Sequence, residues 1–184
     1  MFDFQEQLEV GQLGENLIKK YYQSKEKDGK SLYICRPAKG DEQRLGADLF
    51  VVDGHLNYKY IEVKTDTQAH DTGNVAFEIQ IVHENKKTIG AAMKTFPDYL
   101  FYWIFPTTCV LYWNPSEINP YILDWITEYR IVEAQNKNFF SRTLIVPQDV
   151  VMATGVVHKL HIDWNMVDEV VKGVDGVSAI TVAR

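Results

Sequence analysis

The chain has few cysteines, no long apolar run and no excess of basic residues. Two cysteines in 184 residues, Cys35 and Cys109, are too few for a Cys-rich zinc or iron–sulfur site. Both lie in apolar segments, so we expect buried thiols in a reducing, cytoplasmic compartment. No apolar run approaches the roughly 20 residues of a membrane helix, and the polar residues 1–6 lack the pattern of a signal peptide. We therefore expect an intracellular protein without a membrane partner.

The formal charge of −6 is unlike the basic excess common in nucleic-acid-binding proteins. The acidic residues are unevenly distributed, however. Residues 31–96 contain eight Lys or Arg against nine Asp or Glu, whereas residues 97–184 contain six against ten. Positive and negative charges are therefore nearly equal in number in residues 31–96.

The length and the 46% hydrophobic content predict one domain with a full core and no need of a disulfide.

Two strand-like runs flank Asp53-Gly54, a dipeptide typical of β-hairpins. With a five-residue loop that starts at Asp53, antiparallel pairing places Asp48 opposite Glu62. A two-residue turn would instead pair Asp48 with Lys59. We favour the longer loop because it brings Asp48, Glu62 and Lys64 to one face of the hairpin.

Apolar residues continue both faces of this hairpin, which predicts strands covered on both sides within an α/β sheet. One face consists of Ala47, Leu49, Val51, Ile61 and Val63, and the other of Phe50, Val52, Tyr58 and Tyr60.

Buried carboxylates are costly unless a cation pairs with them. Asp48 and Glu62, with the carbonyl of Val63, would suit Mg²⁺, which prefers oxygen ligands, and Mn²⁺ would substitute. Lys64 would then orient the attacking water or stabilise charge on a phosphate. The alternative is a plain salt bridge from Glu62 to Lys64 or Lys59.

Residues 5–24 have apolar side chains at helical spacing. Glu15 borders this apolar stripe beside Gly11 and Gly14, and glycines inside a helix suggest close packing against another backbone. The alternative for Glu15 is a solvated position at the helix edge.

The helical Gly11-x-x-Gly14-Glu15 pattern, the Gly46-Ala47-Asp48 strand and the Glu62-Val63-Lys64 strand together resemble the PD-(D/E)-X-K nuclease superfamily. Within it the likeness is greatest to small resolvase-like and phage or mobile-element endonucleases. It covers roughly residues 8–104, and Ala47 stands where the family name has proline. The resemblance implies a restriction-endonuclease-like α/β core with a central mixed β-sheet flanked by helices.

The resemblance also implies roles for four residues. Asp48 and Glu62 would bind the metal, Lys64 would assist the attacking water, and Glu15 would orient a metal-bound water.

Further residues are weaker candidates. A strand over 76–82 has Glu78 and Gln80 on one face, where they would add to the site or simply meet solvent. Before it, the polar segment 65–75 predicts a mobile loop next to the site. Contacts to DNA phosphates are expected from Lys39 and Arg44 and from a basic segment with Lys86, Lys87 and Lys94. A basic cluster at the end of the first helix would add Lys19, Lys20, Lys25, Lys27 and Lys30. The alternative for these lysines is an ordinary solvent-facing position.

The second half of the chain predicts an elaborated C-terminal part, about 114–184, after a core of about 5–113. Residues 99–105 and 108–113 form a predicted hairpin that extends the sheet. After it we expect a helix over 120–130 capped by Ser116, a short strand over 144–147, a strand over 150–161, a helix over 164–172 and a turn over 173–177.

These patterns predict metal-dependent hydrolysis of DNA by a homodimeric endonuclease. The alternatives are a non-catalytic DNA-binding or structural member of the same fold, and a nuclease directed at DNA junctions or RNA.

Overall fold

A computed structural model of the chain describes residues 4–84, 86–135 and 139–172. These residues form a mixed α/β fold with a central mixed sheet flanked by helices. The helices are α1 (Phe4–Gln23), α2 (Asp41–Arg44), α3 (Ala69–Thr72), α4 (Pro115–Glu128), α5 (Gln148–Ala153) and α6 (Trp164–Lys172), with a 3₁₀ turn at Ala91–Met93. The strands are β1 (Glu26–Lys27), β2 (Lys30–Ser31), β3 (Tyr33–Pro37), β4 (Leu49–Asp53), β5 (Tyr58–Asp66), β6 (Asn74–His83), β7 (Lys86–Ile89), β8 (Tyr99–Ile104), β9 (Cys109–Trp113), β10 (Ile131–Gln135), β11 (Phe140–Pro147) and β12 (His158–His161).

The central sheet has six strands in the order β12-β9-β8-β5-β4-β3. Strands β5 and β8 run parallel, and the other four pairs are antiparallel. A second sheet, β10-β11-β6-β7, is antiparallel throughout. The C-terminal strands β11 and β12 therefore join sheets that earlier strands begin.

One face of the central sheet is covered by α1 and α6. Alternate residues of a strand point to opposite faces, and here the buried set on β4 and β5 packs against the helices. This core includes Leu13, Leu17, Leu49, Val51, Ile61, Val63, Phe101, Trp103 and Val167.

The opposite face is covered over β8, β9 and the C-terminal half of β5, where Glu62 is only 5% exposed. There Leu100, Tyr102 and Trp113 pack against α4 and the second sheet, in a core with Phe77, Ile118, Trp125 and Leu144. The same face of β3, β4 and β5 has exposed side chains: Ile34 is 70% exposed and Tyr58 is 58% exposed. The prediction that the β4–β5 hairpin is covered on both sides is therefore wrong for its distal part, because the second sheet does not extend over it.

The register of this hairpin agrees with the favoured sequence prediction. Val52 pairs with Tyr58, so the loop has five residues rather than two. Asp53 closes the loop, because its Oδ1 accepts the amides of His55 at 2.8 Å and Asn57 at 2.9 Å. Such Asx turns are a common role for aspartate.

The segment after β5 is not the loop that its polarity predicts. Strand β5 runs to Asp66, whose Oδ1 accepts the amides of Gln68 and Ala69 at 2.7 and 2.8 Å. Short helix α3 follows, and β6 begins at Asn74. The polar side chains of this segment make capping and turn hydrogen bonds. Composition alone does not distinguish such a segment from a mobile loop.

Several C-terminal boundaries also differ from the predictions. Helix α4 begins at Pro115, and its cap is Asn114 rather than Ser116, since Asn114 Oδ1 accepts the amide of Ser116 at 2.9 Å. Strand β11 is eight residues long and is paired on both sides.

The segment predicted as one strand, 150–161, instead contains the end of α5 and β12. The β-branched run there favours a strand by propensity, but Val151 packs from a helix into the core, where its side chain is fully buried. The helix predicted over 164–172 is confirmed. The turn predicted over 173–177 lies outside the described residues.

No helix among residues 4–84, 86–135 and 139–172 combines the length and apolarity that crossing a membrane requires.

Candidate active site

Asp48 is fixed against β5 by two hydrogen bonds. Regular pairing of β4 with β5 ends at Leu49 and Ile61. Beyond that pair, the amide of Asp48 donates to the carbonyl of Ile61 at 2.8 Å, and its Oδ2 accepts the amide of Val63 at 2.7 Å. Oδ2 of Asp48 thus takes the place of a backbone carbonyl in the hydrogen-bond ladder between β4 and β5, and Oδ1 is the oxygen that could bind another partner.

Glu62 and Lys64 lie on the same face of β5, because they are two residues apart on a strand. Glu62 is only 5% exposed, and its Oε1 lies 2.9 Å from the Nζ of Lys64. The lysine side chain is 44% exposed and so reaches from the buried carboxylate to solvent. The salt bridge between Glu62 and Lys64, which the sequence offered as an alternative to a metal site, therefore forms. Lys59, the other candidate partner of Glu62, instead pairs with Asp98 at 3.3 Å.

The two carboxylates are held in an environment that disfavours their charge. Burial raises the pKa of Asp48, and the Val63 amide and Lys64 only partly oppose this. Burial likewise raises the pKa of Glu62, again against the effect of Lys64. Burial alone would lower the pKa of Lys64, but the surrounding carboxylates, chiefly Glu62, raise it overall. Burial therefore dominates the pKa of the two carboxylates, whereas the neighbouring carboxylates dominate the pKa of the lysine.

Glu15 lies within electrostatic range of this group. Burial raises its pKa first, the charge of Glu62 raises it further, and Lys64 lowers it. Helix α1 approaches β5 closely at Gly14, where a Cβ would lie 2.0 Å from the Oγ1 of Thr65. The predicted close packing is confirmed for Gly14 but is wrong for Gly11, where a Cβ would have no neighbouring atom within 4 Å.

Lys94 is a second cation at the site. The sequence groups it with Lys86 and Lys87 as a basic segment but does not place it beside Asp48. A Cβ at Gly46 would lie 2.6 Å from the Cδ and 2.9 Å from the Nζ of Lys94, so the lysine occupies the space that the glycine leaves. Its charge opposes the effect of burial on the pKa of Asp48 and of Glu62, although both pKa values stay raised overall. Gly46 has a φ of 103°, which glycine adopts readily and other residues rarely do. The sequence offers no local signal for this contact, since the two residues are far apart along the chain.

Glu78 and Gln80 have different surroundings. A β-bulge interrupts the β6–β11 pairing between them, which breaks the simple alternation assumed from the sequence. Glu78 accepts the amide of Ala91 at 3.2 Å, and its charge contributes to the raised pKa of Lys64. Gln80 instead lies 3.5 Å from a guanidinium nitrogen of Arg142. Of the two, only Glu78 is tied electrostatically to the candidate site.

The predicted phosphate contacts at Lys39, Arg44, Lys86 and Lys87 are all exposed. Lys39 precedes α2, and Lys86 and Lys87 lie on β7, an outer strand of the second sheet. Arg44 is ion-paired with Asp41. Of the basic cluster that the sequence places at the end of α1, Lys20 pairs with Glu169 of α6 and Lys25 lies over the ring of Tyr21. Contacts of these residues with DNA stay predictions.

The residues present fit a magnesium ion. Among the described residues, no three His, Cys, Asp or Glu side chains form a group that could hold a metal. Two carboxylates are nevertheless a common protein contribution to a Mg²⁺ site, because the ion retains waters and takes oxygens from a phosphate. Asp48 and Glu62 match this chemistry: both are oxygen donors, and burial raises the pKa of each, so a nearby cation would stabilise their charged forms.

A cavity of about 470 Å³ opens beside Lys64, between the central and second sheets. Its lining includes Asp66, Glu78, Leu100, Tyr102 and Trp113. The hydroxyl of Tyr102 donates to Asp66 and accepts the amide of Ala76, which fixes one wall of the cavity.

Comparison with protein-family models, with curated proteins and with solved structures finds no match to this chain.

Proposed function

We propose that this protein is a metal-dependent endonuclease that hydrolyses phosphodiester bonds of DNA on a restriction-endonuclease-like core. The observation that supports the proposal most is the Asp48–Glu62 carboxylate pair, held on β4 and β5 with Lys64 2.9 Å from Glu62. The pair lies where the covered part of this face meets its uncovered part: Glu62 is 5% exposed, and the partly exposed Lys64 connects it to solvent. A purely structural ion pair would not require a second buried carboxylate beside it.

Each side chain has a role in this proposal. Asp48 and Glu62, with the Val63 carbonyl, would hold Mg²⁺ or Mn²⁺. When bound, such an ion polarises a phosphate and lowers the pKa of a coordinated water. Lys64 stabilises negative charge that develops on the phosphate, or orients the water, because its ammonium is charged and partly exposed.

Glu15 and Lys94 act around this centre. Glu15 accepts a hydrogen bond from the attacking water and so orients it, for which its raised pKa makes it a better proton acceptor than an ordinary carboxylate. Lys94 provides a second positive charge next to Asp48 and Glu62, where it would contact the scissile phosphate.

We also propose that the enzyme works as a homodimer within the cytoplasm. Cutting both strands of a duplex requires two sites, and a dimer supplies them. The free thiols of Cys35 and Cys109 are compatible with a reducing compartment.

Incubation of the purified protein with supercoiled plasmid and with a synthetic four-way junction tests this proposal. Reactions at low salt with Mg²⁺ or Mn²⁺ are compared with reactions in EDTA, beside the Glu62→Ala and Lys94→Ala variants. Asp124→Asn, an exposed carboxylate on α4, is the matched control. We expect metal-dependent cutting by the wild type and the control, none by Glu62→Ala, and reduced cutting by Lys94→Ala.

Cutting that persists in Glu62→Ala would refute the assignment of the site. A wild type that shifts DNA in a gel but never cuts it would favour the non-catalytic alternative. Cutting of the junction alone would restrict the substrate to branched DNA.

A further inference from the structure

A cluster of aromatic rings, half-buried except for the exposed Tyr58, lies beside the candidate site. We call Phe50, Tyr58, Tyr60 and Phe96 the aromatic surface. Their ring centroids are 5.4 Å apart for Phe50 and Tyr60, 5.8 Å for Tyr58 and Tyr60, and 4.8 Å for Tyr60 and Phe96. Tyr58 is 58% exposed, an unusual environment for so large a ring within a connected cluster.

The aromatic surface is continuous with the candidate site. Tyr58, Tyr60, Glu62 and Lys64 are alternate residues of β5, so all four lie on one face of the sheet. Consecutive members are about 6.6 Å apart along the strand, from a rise of about 3.3 Å per residue. A ligand that extends along β5 from the carboxylates therefore meets Tyr60 next and Tyr58 after it.

One cation that borders the aromatic surface, Arg36, is already paired. It lies 4.2 Å over the ring of Phe50, but both its terminal nitrogens are 2.8 Å from the carboxylate oxygens of Glu42. Binding to duplex DNA relies on lysines and arginines that neutralise phosphates, and this pairing reduces the charge that the surface offers to them.

The aromatic surface can bind nucleic acid by stacking on bases rather than by neutralising phosphates. Aromatic side chains stack on the faces of bases regardless of sequence, and this is worth about 1–3 kcal/mol per base. Inside a duplex those faces are covered by neighbouring base pairs, whereas an unpaired strand exposes them.

From these observations we infer that the aromatic surface binds unpaired bases of the nucleic-acid substrate next to the phosphate that is cut. The inference rests on the proposed nuclease function and specifies its substrate as a strand with unpaired nucleotides, such as a flap, a frayed end or a single strand. An uninterrupted duplex would be bound more weakly.

Equilibrium binding in EDTA tests the inference separately from catalysis. Fluorescence anisotropy compares a labelled oligothymidylate with a blunt duplex of equal length. The variants are Tyr58→Ala, Tyr58→Phe and, as a control, Leu123→Ala on α4, which removes a side chain that is also 58% exposed.

We expect the wild type to bind the single strand more tightly than the duplex. Tyr58→Ala should weaken single-strand binding by about tenfold and leave duplex binding unchanged. Tyr58→Phe and Leu123→Ala should bind as the wild type does, because the ring rather than the hydroxyl makes the contact. Circular dichroism confirms that each variant is folded.

Equal binding of single strand and duplex by the wild type, or an unchanged single-strand affinity in Tyr58→Ala, would overturn the inference. A third result would also overturn it: the wild type sediments as a dimer, Tyr58→Ala sediments as a monomer, and oligonucleotide binding is unchanged. The aromatic surface would then join two copies of the chain. The binding assay contains EDTA and is therefore independent of cutting. A protein that binds the single strand in this assay but never cuts DNA with Mg²⁺ or Mn²⁺ would refute the proposed function and leave the inferred binding surface intact.

Discussion

The two faces of the central sheet differ in what covers them and therefore in what they do. The face under α1 and α6 is lined by fully buried aliphatic and aromatic side chains, such as Ile61 and Trp103. The opposite face of β3, β4 and β5 has a buried carboxylate, Glu62, beside the partly exposed Asp48 and Lys64, and a partly exposed aromatic cluster. The first face provides stability, because its apolar area is removed from water. The second keeps charged and apolar groups accessible at some cost in stability, which is typical of a functional surface.

The largest contrast is expected between two isoleucines on opposite faces. Ile61→Ala should lower the free energy of unfolding by about 2–5 kcal/mol, since Ile61 is fully buried. Ile34→Ala removes the same atoms from a side chain that is 70% exposed, and it should cost less than about 1 kcal/mol. Urea unfolding of both variants measures the difference. Similar losses would mean that the second face is covered in solution.

Two glycines of α1 provide the next contrast. Gly14→Ala should destabilise the protein by about 1–3 kcal/mol, because the new methyl meets Thr65 Oγ1. Gly11→Ala meets no atom within 4 Å and should stabilise the helix by up to about 1 kcal/mol. Thermal unfolding reports both changes.

The double variant Gly14→Ala/Thr65→Ala is the control for the Gly14 contact. It removes Oγ1 and leaves the Thr65 Cβ 3.4 Å away, so it should regain part of the lost stability. If Gly14→Ala is harmless, α1 does not approach β5 this closely in solution.

A smaller effect is expected from the charge of Glu62. Burial raises its pKa above the ordinary 4.5, so the folded protein holds this proton more tightly than the unfolded chain does. Ionisation therefore costs stability as the pH rises above about 4.5, and the full cost is present above the folded-state pKa. Without metal, Glu62→Gln should be at least as stable as the wild type near pH 7, an advantage that disappears under acidic conditions.

Urea unfolding in EDTA across this pH range measures the effect. A Glu62→Gln variant that loses stability at neutral pH would show that the salt bridge with Lys64 outweighs the burial of the carboxylate.

Local patterns predicted the parts of the site that lie on one hairpin. Alternation allowed two registers, and the one that groups Asp48, Glu62 and Lys64 on one face is the one that forms, with Val52 opposite Tyr58 and Asp48 next to β5. Lys94 could be assigned only to a basic segment with Lys86 and Lys87, because its contact with Gly46 depends on how a distant turn packs. Glu78 and Gln80 could not be separated, since the bulge between them arises from pairing with β11, which is remote in sequence. The openness of the second face was also beyond prediction, because it depends on where the second sheet ends.

The central claim is that Asp48 and Glu62 form a cation site where β4 and β5 meet, and direct measurement of Mn²⁺ binding tests it without relying on activity. Electron paramagnetic resonance titrations would compare the wild type with Asp48→Asn, Glu62→Gln and the control Asp124→Asn. The amide oxygen introduced by Asp48→Asn can still accept the amide of Val63, so this variant removes charge while retaining that hydrogen bond. We expect one bound Mn²⁺ per chain in the wild type and the control, and loss of this ion in both site variants. Binding that is absent from the wild type, or that survives in Asp48→Asn and Glu62→Gln, would contradict the claim.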